Sequence, residues 1–383
     1  MHVVTYLPHG AMPDIRGFAP AIVAWNIAKY LSFSTTSMIC AAEHDTRPKE
    51  IIEGMSIHRL RQSDVYTRLF NKITRMDPWP LHSRAAKLTR KLAPDLVHAH
   101  QLEFPVNSFK NQLHKDIPIV VHAHVSNRRF DSKRGAADRY IAVSVHVKRM
   151  LLEKGYPEAA VEVIPNGVDI HCFAPPAPDE KSELRQILNI PLSATVITFA
   201  GRKQEVKGFH TFLGAAAQLL KKYPDLYIIA VGSEPADSDR EHSYPSRQRV
   251  RQALSKNPNF LDLPALPHHL LANVLKLSDI TLLPSLHEPQ GMLMLESMAA
   301  GCITISTNTG GIAESIINGV TGYLLDDPSD INLAADKVEL VLSHLANLDG
   351  MRAAARRRVE EIFDWKVISR KIEHLYFSLA SEK

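Results

Sequence analysis

Apolar segments of strand length alternate with amphipathic segments along this chain of 383 residues, and this alternation limits the possible folds more than any other feature. The pattern is typical of parallel sheets that carry helices on both faces. Helix candidates such as 20–31 and 81–92 lie between strand candidates. The strand candidates, five in each half, are 2–7, 35–42, 96–100, 117–124, 139–144, 194–201, 226–232, 279–285, 302–307 and 322–325. We therefore predict an α/β protein with two doubly wound, Rossmann-like domains.

The boundary between the two halves is predicted from composition. The stretch APPAPDEKSE at 174–183 is rich in proline and acidic residues, which is typical of a linker. We expect an N-terminal domain over 1–176 and a C-terminal domain over 177–363. The length of the chain exceeds that of one ordinary core, which also favours two domains.

Composition and the first residues bear on location. With 45% hydrophobic and 22% charged residues and no apolar run near the ~20 residues of a membrane span, the sequence is typical of a soluble globular protein. MHVVTYLP, at the start, has neither the basic flank nor the cleavage site of a secretory signal. Cys40, Cys172 and Cys302 lie far apart without metal-ligand spacing. We expect a cytoplasmic protein with reduced thiols.

Charge is distributed unevenly along the chain. Residues 1–175 contain 23 Lys and Arg against 16 Asp and Glu, whereas residues 176–383 contain 22 against 25. The basic excess is densest at 126–139 and 148–149. It forms either a solvated basic face or a surface that attracts phosphates, those of an acidic substrate or of an anionic membrane. The sequence has no recognisable nucleic-acid motif, so no nucleic-acid partner is expected.

The segment AGRKQEVKGFHTFL at 200–213 leads from a strand candidate into a helix, where ligands lie in doubly wound folds. Arg202 and Lys207 lie between glycines that allow close approach of the backbone. Two cations in such a loop suit a diphosphate. An exposed basic loop fits the same residues.

A second strand-to-helix segment, LPSLHEPQGMLMLESMAAG at 283–301, places Glu288 before a helix that begins near Gly291 and Glu296 inside that helix. The free N–H groups and positive dipole end of the helix favour an anion. Glu288 could accept hydrogen bonds from sugar hydroxyls, and Glu296 could chelate vicinal hydroxyls such as those of a ribose. Taken singly, both residues also fit a loop charge and a partly exposed helix position.

Together these segments resemble glycosyltransferase family 4, the retaining enzymes of the GT-B fold once called group 1 glycosyltransferases. Residues 287–325 are similar to the family's motif of two glutamates separated by seven residues, followed by its Gly-Gly turn and glycine-rich strand return. AGRKQEVKGF resembles the diphosphate loop, and VIPNGVDIHCF (163–173) the interdomain segment. Residues 95–100, 117–124 and 140–144 match weaker N-domain patterns. The resemblance covers nearly the whole chain and implies two Rossmann-like domains that face each other across a cleft.

The resemblance implies a role for each matched residue of the donor site. Arg202 and Lys207 would bind the donor diphosphate, and Glu296 would chelate the ribose. Glu288 would hold the hexose and the distal phosphate together with backbone N–H groups at the helix start. Those N–H groups are the ones of Gly291, Met292 and Leu293.

In the first half, His124 matches the family's histidine that faces the donor sugar and the reaction centre. His122 lies two residues earlier on the same side of the strand and is an alternative. In the second half, backbone groups around Leu266, within LPALPHHL (263–270), would read the edge of the nucleobase. The catalytic residues that the resemblance implies are His124, Glu288, Arg202 and Lys207.

Two segments depart from the family pattern. The family often has a Gly-Gly pair that touches the donor phosphates before its first helix, whereas PDIRGFAP (13–20) has Gly17 alone, which puts that contact in doubt. The family's turn after the second strand of the C-terminal domain reads GSEP (232–235) here and continues into a polar segment with DSD at 237–239. This Asp-x-Asp lacks a preceding apolar strand, so no catalytic metal is expected there.

The implied activity is the transfer of a hexose from a nucleotide-diphosphate sugar to a hydroxyl acceptor with retention of configuration. A UDP-sugar is favoured over a GDP-sugar, and the expected acceptor is a lipid-linked glycan or polysaccharide precursor. No cofactor or metal is expected, because Arg202, Lys207 and a helix N-terminus meet the charge of the departing phosphate. The basic N-terminal domain would allow peripheral contact with the inner face of an anionic membrane. A GT-B-like UDP-N-acetylglucosamine epimerase and a non-catalytic sugar-nucleotide-binding relative are the alternatives.

The C-terminal segment 359–379 predicts a helix with a break at Asp364. One side of it carries an apolar stripe that must pack against other residues. The stripe consists of Ile368, Ile372, Leu375, Tyr376 and Leu379. Since the last helix of the GT-B fold crosses back to the N-terminal domain, residues 364–383 are assigned to that domain and the stripe is expected to contact residues before 175. Packing on 177–360 alone is the alternative.

Overall fold

The computed structural model divides the chain into two compact units. It describes residues 1–8, 10, 12–13, 18–43, 46–61, 69–70, 72–73, 80–102, 104–113, 116–125, 136–234 and 245–381. Unit 1 comprises Met1–Asn166 and Trp365–Lys383, and unit 2 comprises Gly167–Asp364. The predicted boundary at 176/177 therefore falls inside unit 2. Residues 167–176 belong to that unit because Val168 and Phe173 pack in its core.

Strands and helices alternate in both units. The strands are β1 (His2–Leu7), β2 (Thr35–Ala41), β3 (Lys49–Ile52), β4 (Met55–Leu60), β5 (Leu96–His100), β6 (Ile119–Ala123), β7 (Arg139–Ala142), β8 (Val161–Val163), β9 (Val196–Ala200), β10 (Tyr227–Val231), β11 (Phe260–Leu263), β12 (Ile280–Leu282), β13 (Ile303–Thr307) and β14 (Tyr323–Leu325). The helices are α1 (Ala19–Tyr30), α2 (Leu81–Leu92), α3 (Val106–Lys110), α4 (Val145–Glu153), α5 (Pro178–Ile187), α6 (Phe209–Lys222), α7 (Pro245–Leu254), α8 (His268–Leu277), α9 (Met292–Ala299), α10 (Ile312–Ser315), α11 (Ile331–His344), α12 (Asp349–Arg358) and α13 (Trp365–Ser381).

Each unit has one sheet in its described residues. The order is β3-β4-β2-β1-β5-β6-β7-β8 in unit 1 and β11-β10-β9-β12-β13-β14 in unit 2. Strand pairs are parallel, for example β1 with β5 and β9 with β12, except that β3 pairs antiparallel with β4. The central strands β5, β6, β9 and β13 are buried along their whole length, as parallel strands between two helical layers must be. These doubly wound sheets confirm the predicted GT-B fold class.

The helix α13 packs within unit 1, as predicted. It follows a π-helical turn at Val359–Phe363, and its apolar stripe is at most 3% exposed. Glu373 accepts hydrogen bonds from the backbone N–H groups of Ser32 (3.1 Å) and Phe33 (2.7 Å), just after α1. Ser369 Oγ donates to the carbonyl oxygen of Ile27 at 3.4 Å. The predicted contact between this helix and residues before 175 is therefore confirmed.

None of the helices in the described part of the chain combines the length and the apolar character that a membrane span needs.

Candidate functional site

The loop between β9 and α6 in unit 2 holds Arg202 and Lys207. Gly208 ends this loop with a φ of +70°, and a Cβ at its position would lie 1.7 Å from the carbonyl oxygen of Pro284. Only glycine tolerates both conditions. The loop therefore lies directly against the segment that follows β12, which is the segment with Glu288.

Lys207 and Glu288 meet where these two segments touch. Lys207 Nζ lies 2.5 Å from Glu288 Oε1, and Ser285 Oγ lies 3.4 Å from the same oxygen. Both charged side chains are mostly buried, with 23% and 16% of their surface exposed, whereas Arg202 is exposed. An anion bound at this loop would meet two cations, and it would compete with Glu288 for Lys207.

The helix α9 begins directly after Gly291, which has a φ of +87°. Its N-cap residue is a glycine and makes no side-chain cap, and the first backbone N–H groups of a helix have no partner within the helix, so they can bind an anion. Met292 and Leu293, in that first turn, are partly buried. The predicted donors Gly291, Met292 and Leu293 therefore lie at a helix N-terminus three residues after Glu288.

Glu296 lies inside α9 and is 5% exposed. Its Oε1 lies 2.8 Å from His268 Nε2, and the His268 ring packs edge-on against Phe173 with 4.8 Å between ring centroids. A carboxylate has about four lone-pair sites, so Glu296 can accept further hydrogen bonds. His268 is not among the predicted site residues. Its place within 263–270, the segment expected at the nucleobase, is the signal that could have identified it.

Lys203 is a second residue that the sequence did not reveal. It is 2% exposed, and its Nζ donates to Asp262 Oδ1 (2.6 Å) and to the carbonyl oxygen of Leu263 (2.7 Å). Arg251 Nε donates to the other oxygen of Asp262 at 2.5 Å. Burial opposes ionisation of Asp262, but the hydrogen bonds and charges of Arg251 and Lys203 outweigh it and hold the pKa of this carboxyl below its usual value. These contacts fix the loop that carries Arg202.

For the remaining predicted residues of the donor site, the structure shows fewer contacts or none. Leu266 is partly buried and packs against the core beside β9 and β10. Gly17 and residues 237–239 lie outside the described residues, so the expectations for the phosphate contact and for the Asp-x-Asp segment stay predictions.

In unit 1, His124 follows β6 and is partly buried. Its ring stacks on that of His122, with 4.5 Å between centroids and 3° between planes, so the two histidines lie on the same side as predicted. His124 Nε2 lies 3.1 Å from His100 Nδ1, and His98 Nδ1 lies 2.6 Å from Tyr376 Oη. His98 and His100 are not among the predicted site residues, although they form the H-x-H of segment 95–100.

Burial keeps these four imidazoles neutral. Desolvation lowers the pKa of His98 and His124 to about 3. It also lowers the pKa of His100 and His122 well below the usual value, and the neighbouring imidazoles act in the same direction. A neutral imidazole has one N–H donor and one lone pair. At neutral pH His124 is therefore a hydrogen-bonding group without charge.

Comparison with known protein families gives two matches. The family model described as Glycosyltransferase Family 4 matches residues 21–171, and the one described as Glycosyl transferases group 1 matches residues 180–358. Only residues 172–179 lie between the two matches.

Individual relatives agree with these matches. Lipopolysaccharide 1,2-N-acetylglucosaminetransferase of Salmonella typhimurium is 28% identical over 88% of this chain and 89% of its own length. D-inositol 3-phosphate glycosyltransferase of Corynebacterium urealyticum is 31% identical over 60% of this chain, which spans 54% of that protein. Among solved structures, Anabaena HepE in complex with UDP and glucose has a TM-score of 0.78 at 18% identity, over 98% of this chain and 99% of its own. With family matches to both halves, the chain belongs to glycosyltransferase family 4, the group 1 glycosyltransferases.

Proposed function

We propose that this protein transfers a hexose from a nucleotide-diphosphate sugar to a hydroxyl acceptor and retains the anomeric configuration. The observation that carries the proposal is the meeting, in unit 2, of the loop with Arg202 and Lys207, the Glu288 carboxylate and the start of α9. Fixed cations and a helix N-terminus suit a diphosphate, and a carboxylate suits sugar hydroxyls.

The reaction breaks the bond between the anomeric carbon and the phosphate oxygen. Negative charge grows on the diphosphate while the sugar becomes oxocarbenium-like, and Arg202, Lys207 and the first N–H groups of α9 stabilise that charge. The acceptor hydroxyl attacks from the side of the leaving group, and its proton passes to the departing phosphate oxygen. Since fixed cations meet the phosphate charge, the proposal needs no divalent ion.

The Lys207–Glu288 ion pair gives this mechanism a binding step. When a phosphate oxygen takes Lys207 as its partner, the Glu288 carboxylate gains lone pairs for the hydroxyls of the hexose. One internal contact is thereby exchanged for two contacts with the donor. His124, neutral at working pH, is proposed to hydrogen-bond the donor sugar.

Donor and acceptor are proposed from the relatives and the site. HepE was solved with UDP and glucose, which favours a UDP-sugar, with a GDP-sugar as the second choice. Glu296, held by His268, would bind the ribose hydroxyls. The Salmonella relative is a lipopolysaccharide glycosyltransferase by name, so we propose a lipid-linked glycan or polysaccharide precursor as acceptor. Peripheral contact with an anionic membrane through the basic residues of 1–175 belongs to the same proposal.

A donor screen followed by product analysis tests the function. Thermal shift with UDP-glucose, UDP-galactose, UDP-N-acetylglucosamine and GDP-mannose should identify one donor that raises the melting temperature. NMR of the product formed with hydroxyl acceptors should then show transfer with the anomeric configuration of the donor. Inversion would contradict the retaining mechanism, a 2-epimer of the sugar nucleotide would indicate an epimerase, and donor binding without turnover would indicate a non-catalytic relative.

A further inference from the structure

Three histidines form a buried cluster in unit 1 that the proposed reaction does not use. We call His98, His100 and His122 the histidine cluster; the first two lie on β5 and the third on β6. Their side chains are 0–1% exposed, and His100 is directly opposite His122 in the parallel pairing. Ring centroids are 4.3 to 5.4 Å apart. Strand alternation and register therefore bring three imidazoles to one place on the sheet.

Several nitrogen atoms of this cluster have no hydrogen-bond partner among the described residues. They are Nε2 of His98, Nε2 of His100, and both ring nitrogens of His122. A buried polar atom without a partner costs about 1–3 kcal/mol, and native proteins contain few of them. Several in contact with each other indicate a ligand that accepts lone pairs.

The hydrogen bonds that the cluster does make select the atoms that could bind such a ligand. Tyr376 Oη lies 2.6 Å from His98 Nδ1, and His124 Nε2 lies 3.1 Å from His100 Nδ1. With the proton on Nδ1, each of the two imidazoles donates to its partner and keeps a lone pair on Nε2. Metal-bound histidines in proteins show this arrangement, since the second ring nitrogen almost always donates to a neighbouring acceptor.

The geometry points to a divalent transition-metal ion, Zn²⁺ first, bound by His98, His100 and His122. One nitrogen from each ring lies within 4.8 Å of the others. Zn–N bonds of about 2.0–2.1 Å in a tetrahedron place ligand nitrogens roughly 3.3 Å apart, so binding requires the rings to close by at most about 1.5 Å and to turn out of their stack. Neutral imidazoles suit Zn²⁺, Ni²⁺, Cu²⁺ and Co²⁺ better than Mg²⁺ or Ca²⁺.

This metal would join two neighbouring strands and, through Tyr376, the helix α13. It would also fix the tautomer of His100, whose Nδ1–H then donates to His124 Nε2. The site takes one ion per chain and shares no residue with the set proposed to bind the diphosphate in unit 2.

Metal titration of the full chain, produced without a polyhistidine tag and stripped with EDTA, tests the inference. We expect calorimetry to give one tightly bound Zn²⁺ per chain and the melting temperature to rise with Zn²⁺. Co²⁺ should produce the intense visible bands of a tetrahedral site. The variant His122→Gln should lose this binding, and Tyr376→Phe should weaken it by about 10- to 100-fold, because it removes the acceptor for His98 Nδ1–H.

The matched control is His344→Gln, at an exposed histidine of unit 2, which should bind as the wild type does. Circular dichroism and the unfolding midpoint of each metal-free variant show whether it folds. If His122→Gln fails to fold, Tyr376→Phe decides. The inference would be overturned if the wild type bound Zn²⁺ no more tightly than a folded His122→Gln or Tyr376→Phe variant. It would also be overturned if His344→Gln lost as much binding as these variants.

Discussion

The donor region of unit 2 and the histidine cluster of unit 1 bury polar groups in different ways. In unit 2, Lys207, Lys203 and Glu296 are mostly buried, and each of them already has a partner. The pairs are Lys207 with Glu288, Lys203 with Asp262, and Glu296 with His268. In unit 1, the cluster consists of neutral imidazoles whose nitrogens have no partner among the described residues at four positions.

The difference follows from the cost of burial. A charge cannot be buried alone without a penalty of several kcal/mol, whereas a neutral polar group without a partner costs about 1–3 kcal/mol. Under the proposed function, the unit 2 site keeps Lys207 in an ion pair that opens when the diphosphate binds. A site that offers lone pairs can keep them unpaired. Removing one partner of a buried ion pair in unit 2 should consequently cost more free energy than leaving a neutral imidazole nitrogen of unit 1 without a partner.

Lys207→Ala tests the paired region and has the largest expected effect. It removes a cation that we propose binds the diphosphate, and it leaves Glu288 without its cationic partner. We expect kcat for transfer to fall by about 10²- to 10³-fold, the range found when one electrostatic stabiliser of a transition state is lost. Steady-state assays with the donor found by the screen measure it. The control is Lys222→Ala, because Lys222 pairs with Glu339 at the exposed surface of the same unit. An equal loss in both variants would count against the role of Lys207.

Glu296→Ala has the next largest expected effect. Loss of a charged hydrogen bond costs about 1.5–3 kcal/mol, so the affinity for UDP should fall by about 10- to 100-fold. Isothermal titration calorimetry with UDP measures it, and Glu296→Gln, which keeps an acceptor oxygen, should lie between the variant and the wild type. Unchanged UDP affinity in a folded Glu296→Ala would remove this residue from the site.

The local parts of this architecture could be predicted from the sequence. Some sequence features act over a few residues, so their meaning can be recognised without the fold. They are the apolar runs of strand length, the stripe on α13, the glycines of the loop with Arg202, and Gly291. The strands β3, β8 and β11 are absent from the strand candidates because they have only three or four residues and carry polar ones, as in KEII, VEV and FLDL. The six-residue strand β4 is absent because polar residues interrupt its apolar ones, as MSIHRL shows. Residues 167–176 adjoin a linker-like composition, yet Phe173 within them is fully buried.

The long-range partners could not be predicted. Lys203 meets Asp262 across 59 positions, Glu296 meets His268 across 28, and His98 meets Tyr376 across 278. Such contacts depend on strand order and on where α13 returns, and no local pattern encodes either. The H-x-H of segment 95–100 was visible, but only the pairing of β5 with β6 places His122 beside it.

Glu373→Ala extends the comparison to a buried carboxylate that has no cation partner among the described residues. Glu373 is 3% exposed and accepts from the N–H groups of Ser32 and Phe33, so its loss leaves two backbone donors without that acceptor. We expect the free energy of unfolding to fall by about 1–3 kcal/mol, measured by urea denaturation. Glu361→Ala, at an exposed position before α13, is the control and should unfold like the wild type. If Glu373→Ala has the control's midpoint, the carboxylate does not hold α13 to the end of α1.

Chelation with EDTA distinguishes the two regions without any mutation. The informative result is that UDP affinity should not change. We expect the Kd for UDP to be the same in EDTA as in Mg²⁺ or Mn²⁺, because we propose that Arg202 and Lys207 meet the diphosphate charge in unit 2. The same EDTA treatment should lower the melting temperature of a zinc-loaded chain, since it would strip the ion from the histidine cluster in unit 1. A chain stripped beforehand and never given zinc is the control, and EDTA should change neither its melting temperature nor its UDP affinity. A loss of UDP affinity in EDTA that Mn²⁺ restores would show that a metal, and not the two side chains, carries the phosphate charge. Both regions would then bind a metal, and the contrast between paired charges in unit 2 and unpaired imidazole nitrogens in unit 1 would not correspond to a difference in metal binding.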